Sequence, residues 1–158
     1  MDALFPGLKA LLNYHPLFVH VPIALWTAAL LFELAARLFK QDELHRAACW
    51  TLALGTLAAI LAVLTGWSAQ AAVPDWGQAH EVKELHQNLM ILSSILSGVL
   101  AALGLLVLPR KPTDALRAAF LIGLLLLCGL MAAGADRGAL LVYHYGTGVD
   151  WPAAQKQK

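Results

Sequence analysis

Four long stretches of this chain contain no Asp, Glu, Lys or Arg, and they constrain the fold more than any other feature. They are residues 16–32, 47–74, 89–109 and 118–135, with His20 the one ionisable side chain of the first. A membrane span needs roughly 17–25 apolar residues to cross about 30 Å of hydrocarbon. Each stretch therefore predicts one transmembrane helix, the first extended past Glu33 by Leu34, Ala35 and Ala36. In lipid every backbone group must find its partner within the segment or a closed barrel, and continuous apolar runs suit helices rather than strands. The expected fold is all-α, an integral membrane four-helix antiparallel bundle.

Composition agrees. Hydrophobic residues are 59% of the chain and charged residues 13%, where a soluble domain carries about 25% charged residues. That deficit excludes a disordered chain, a nucleic-acid binder and an ordinary soluble enzyme. A net charge of +1 leaves no global field to steer an ionic partner. The two cysteines, Cys49 and Cys128, are too few for a disulfide framework, and no Cys-x-x-Cys-His is present for covalent haem attachment. No nucleophile–base pair, phosphate loop or carboxylate dyad appears, so hydrolase and transferase chemistry has no support.

Residues 1–13 read as a short interfacial helix or a tail, 14–149 as the four-span domain and 150–158 as a C-terminal tail. The start lacks the basic region of a cleavable signal peptide. Basic residues set the expected orientation. Arg37, Lys40, Arg46, Arg110, Lys111 and Arg117 flank the first and third connections, against Lys9, Lys83 and Arg137 on the other side. The first and third loops are thus expected in the cytoplasm and both termini outside.

An antiparallel bundle gathers the chemistry at one end. His15 and His20 open the first span, His80 and His86 open the third and His144 follows the fourth, leaving His45 alone in the basic first loop. At about 1.5 Å per residue, His20 and His86 come to matched depth on diagonal helices, with His15 and His80 forming a shallower set. His86 is followed at helical spacing by Met90, Ser93, Ser97 and Gly104, and His20 by Ala24, Thr27 and Leu31. Small residues mark helix contact faces in lipid, so both imidazoles are expected to point into the bundle. An ionisable side chain within a span marks a functional site by default.

Two facing imidazoles suit the axial positions of a haem iron, and helical bundles hold such cofactors between facing helices. The competing reading makes each histidine an interfacial anchor bonded to water or backbone. A copper or zinc site is a third, although no Met-rich or Cys-rich stripe is present and neither His15/His20 nor His80/His86 has the i, i+4 spacing that puts two ligands on one helical face. Glu33, near the opposite end, reads as snorkelling or as a proton relay. Asp136 and Arg137 read as an ion pair, Gly134 and Gly138 as close-packing positions, Cys128 as core, and Trp26 and Trp50 as filler or belt residues. Pro22 is expected to loosen the helix beside His20.

The segment His15-Pro-Leu-Phe-Val-His20-Val-Pro-Ile-Ala-Leu25 resembles the opening motif of a bacterial membrane family known as domain of unknown function 2231. Thr65-Gly66-Trp67, Leu85-His86-Gln-Asn-Leu-Met90 and Gly138-Ala-Leu-Leu-Val-Tyr143-His-Tyr-Gly146-Thr-Gly148-Val149 resemble its later motifs. Met90 and Ala139 stand where the family favours Gly, and Tyr145 where His is frequent. The resemblance spans residues 14–149 and implies four helices in a bacterial inner membrane. Relatives occur fused to c-type cytochrome or Rieske domains, which implies electron-transfer partners. Some of those relatives lack the second histidine of the opening motif, making His15 with His86 a competing ligand pair.

These readings converge on a membrane b-type cytochrome-like electron-transfer protein. Haem b, one or two per chain, is expected near the outward side on His20 and His86, with His15 as substitute and His80 completing a shallower site. Trp67, Trp76 and Tyr143 are expected to wall the pocket. Membrane lipid, a quinone or membrane dehydrogenase, and a c-type cytochrome or Rieske partner complete the expectation, with no nucleic acid and the oligomeric state open. The rival from another class is a cofactor-free accessory subunit of a redox complex.

Overall fold

The computed structural model of the protein describes residues 6–9, 11–72, 77–107 and 113–149. A one-turn helix α1 (Pro6–Lys9) precedes four long helices, α2 (His15–Phe39), α3 (Asp42–Ala69), α4 (Gly77–Val107) and α5 (Asp114–Tyr143). A 3-10 turn, Gln70–Ala72, follows α3. All four long helices are long and apolar enough to cross a membrane. The expected α-helical bundle is thus the observed one.

Sequential neighbours pack together, and α5 closes the ring against α2. The order round the bundle is α2, α3, α4, α5, with α2 diagonal to α4. The α2–α3 connection is only Lys40 and Gln41. Lys40 takes the left-handed conformation at φ 54°, and its N–H and that of Gln41 both reach the Ala36 carbonyl. That arrangement closes a helix C-terminus. Thr113 caps α5, its Oγ1 accepting from the Leu116 N–H at 3.3 Å.

The helices run beyond the uncharged stretches. α3 takes in Asp42–Arg46, α4 begins more than three turns before its apolar run and α5 continues through Asp136 and Arg137. Helix ends that emerge from hydrocarbon keep their hydrogen bonds while their side chains meet water. The second span, expected to reach residue 74, ends as α-helix at Ala69, and 73–76 lie outside the described residues. Pro22 sits buried inside a continuous α2.

The core is a spine of Trp26, Cys49, Leu52, Leu100, Phe120, Leu124 and Leu127. Gly55 admits Trp26 between α2 and α3, for a Cβ there would lie 2.7 Å from the indole Cδ1. Trp26 is therefore core rather than belt, whereas Trp50 is exposed. Elsewhere Leu, Ile and Val are exposed all round the bundle, as expected where lipid is the solvent.

Candidate functional site

The inward face of α2 is the heptad series His15, Pro22, Ala29, Ala36, interleaved with Trp26 and Glu33. All of these but His15, which is half-buried, are buried. His20 falls outside that series. At about 100° per residue it points roughly 160° away from the buried stripe. The structure accordingly leaves His20 exposed, together with Ala24, Thr27 and Leu31. The expectation that His20 faces the bundle interior is corrected on this point. Its Nδ1–H donates to the Pro16 carbonyl at 2.7 Å, one turn back on its own helix.

His15 takes the inward place. Its Nδ1 lies 3.3 Å from Thr65 Oγ1 on α3. The Thr65 hydroxyl donates its own proton to the carbonyls of Leu61 at 2.9 Å and Ala62 at 3.0 Å. With its proton so placed, the Thr65 oxygen can accept from His15 Nδ1–H. The ring rests in the notch of Gly66, where a Cβ would stand 3.1 Å from its Cε1.

His86 is held in the same manner by α5. Its Nδ1–H donates to the Gly134 carbonyl at 2.7 Å. A carbonyl can only accept, so His86 carries a proton on Nδ1. A Cβ on Gly138 would stand 3.0 Å from His86 Cε1. Gly138 makes room for the imidazole, and Gly134, four residues earlier, makes room for the Met90 side chain. The stripe after His86 faces inward as expected, with Ser93 and Ser97 fully buried and bonded to carbonyls of their own helix at 2.7 and 2.8 Å.

His15 and His86 lie close enough to interact electrostatically. The His86 ring is held through Nδ1 by Gly134, and the His15 ring by Thr65 and the Ala62 backbone. Ligating histidines are commonly oriented by such a bond from the other ring nitrogen.

The remaining expected residues do not join this pair. His80 Nε2 lies 3.4 Å from Glu84 on its own helix. Trp67 is 52% and Tyr143 87% exposed, so neither walls an interior pocket; both suit the aromatic belt at the membrane surface. Trp76 lies outside the described residues. His144 is exposed and stacks edge-on to Tyr145 at 4.8 Å. Asp136 and Arg137 form the expected ion pair at 3.1 Å. Among the described residues no group of three or more His, Cys, Asp or Glu is placed to hold a metal ion.

At the opposite end the structure reveals an arrangement that sequence reasoning missed. Glu33 and His45 are buried at 1% and 4% exposure. They meet at 2.6 Å between Oε2 and Nδ1. His45 was expected in a loop, but α3 begins at Asp42 and turns this side chain inward. Glu33 was expected to snorkel or to relay protons, and it shares the inward face of α2. That register was the available signal.

The fold and the paired histidines define a multi-pass integral membrane protein, a four-helix bundle with a polar cluster built into each end. Over residues 12–151 the chain matches the DUF2231 model, described as a predicted membrane protein, and it belongs to that family. No curated protein and no solved structure matches it.

Proposed function

We propose that this protein is a haem-binding electron-transfer component of the membrane, in which His15 and His86 would hold the haem. The observation that carries the reading is the state of those two rings. His86 donates Nδ1–H to the Gly134 carbonyl on α5 and His15 Nδ1 meets Thr65 Oγ1 on α3, so each ring is oriented by a neighbouring helix. The donor set fits the group, since neutral imidazole is a haem ligand. Haem, when bound, supplies reversible one-electron chemistry. The chain's own part is to fix ring orientation through Thr65 and Gly134 and to surround the site with apolar helix. The pair is His15 with His86 rather than His20 with His86, because His20 faces outward.

The basic residues around the α2–α3 connection favour the cytoplasm for that side, so the histidine pair would face the periplasm of a bacterial inner membrane. Electrons would then pass between a quinol or membrane dehydrogenase and a periplasmic c-type cytochrome or Rieske partner. The test is haem content by pyridine haemochrome of the detergent-purified protein after haem-replete expression. About one b-type haem per chain supports the reading, and none overturns it.

A second reading rests on a different observation. Both rings fill glycine notches, at Gly66 and Gly138, and so also act as wedges between helices. In a cofactor-free accessory subunit that packing would be their whole role. His15→Ala and His86→Ala would then lower stability without any spectral consequence.

A further inference from the structure

We infer that Glu33 and His45 form a buried proton-binding site at the α2–α3 turn end of the bundle, where His45 takes up one proton from the adjoining water and Glu33 stabilises it. The site is independent of the histidine pair at the other end.

The geometry is a short relay. His45 Nδ1 faces Glu33 Oε2 at 2.6 Å, and His45 Nε2 faces Cys49 Sγ at 4.0 Å one turn along α3. With Glu33 ionised, His45 donates Nδ1–H to the carboxylate and turns its Nε2 lone pair toward the thiol. Phe120 of α5 closes one flank edge-on, its ring centroid 5.6 Å from that of the imidazole. The other carboxylate oxygen, Glu33 Oε1, is buried without a hydrogen bond. The nearest cation to it is Arg37, its Nε 3.7 Å away on a side chain that is 37% exposed. Arg37 thus links the buried carboxylate to the surface of the bundle.

The surrounding charge makes His45 the group that changes state. From α2 the facing groups are Glu33 and Arg37. From α3 they are Asp42, Glu43, Arg46 and Cys49, and from α5 Arg117, which pairs with Asp42. Glu43 pairs with Arg46 on their own helix. The inner half of α4 adds only Gly104, packed against Cys49. Three arginines thus stand against three carboxylates, and the cluster is neutral when His45 is neutral. One proton from water forms a new N–H bond at Nε2, leaves imidazolium against carboxylate and raises the cluster by one positive charge. Arginine does not release a proton in this range, and only His45 can accept one without losing a carboxylate partner.

The test is the pH dependence of imidazole ¹⁵N shifts in the full chain, labelled at histidine and held in lipid nanodiscs. His45 is recognised by its contacts to the Phe120 ring. We expect His45 to gain its second N–H as pH falls. In Glu33→Gln its proton affinity should drop by about ten- to a thousandfold, since the neighbouring charge is lost. Glu33→Asp should restore part of it. An unchanged His45 titration in Glu33→Gln overturns the proposal. Should that variant not fold, the wild type decides alone: a His45 that stays neutral until the protein unfolds in acid also overturns it.

Discussion

His86 donates its Nδ1–H to the backbone carbonyl of Gly134, 2.7 Å away across the α4–α5 interface. The bond is geometrically costly to replace, because the ring lies over Gly138 on the next turn of α5 and no side chain fits between them. One helix supplies the imidazole, while the other supplies both its acceptor and its space.

Gly138→Ala should therefore displace His86. The added methyl would sit 3.0 Å from Cε1, and overpacking of this kind costs about 1–3 kcal/mol. Thermal unfolding in detergent should show the loss, and any bound haem should lose its spectral homogeneity with it. A variant as stable as wild type would mean that the α4–α5 groove is looser than described.

Thr65→Val tests the orienting bond on the other ring. The substitution nearly conserves volume but removes the acceptor for His15 Nδ1–H. Loss of such an outer partner weakens metal affinity by about 10- to 100-fold. Haem retention during dilution should fall by that order while the helix content stays unchanged. Undiminished retention would remove Thr65 from the site.

His45→Ala should be among the most damaging single changes at the α2–α3 end. It leaves Glu33, 1% exposed, without its closest partner. Breaking a buried pair by removing one member costs about 3–5 kcal/mol, whereas replacing both members with apolar side chains is often neutral. Glu33→Leu combined with His45→Phe should accordingly be more stable than His45→Ala. Equal losses in both variants would show that the pair is not coupled.

The sequence carried the four spans and the inward stripe of α4, because charge-free length and small residues are strong signals in lipid. The face of α2 was harder to read. In a soluble helix the polar side marks the outside, but lipid accepts Leu31 and Phe32 as readily as the core accepts Trp26. His20 and His15 therefore looked equivalent by polarity. Only the spacing of His15 with Pro22, Ala29 and Ala36 separates them, and it also turns Glu33 inward. His45 escaped because charged residues 42–46 read as loop, although α3 had already begun. The aromatic residues misled for a related reason: Trp67 and Tyr143 lie at the right depth, but depth does not fix direction round a helix.

The most direct test of the central claim is the reduced-minus-oxidised absorption spectrum of purified wild type beside His15→Ala, His86→Ala and His20→Ala. A sharp b-type α-band in wild type that survives in His20→Ala, and is lost or shifted in both His15→Ala and His86→Ala, is the predicted result. A wild type without an α-band, or a band lost in His20→Ala and kept in His15→Ala, would contradict it.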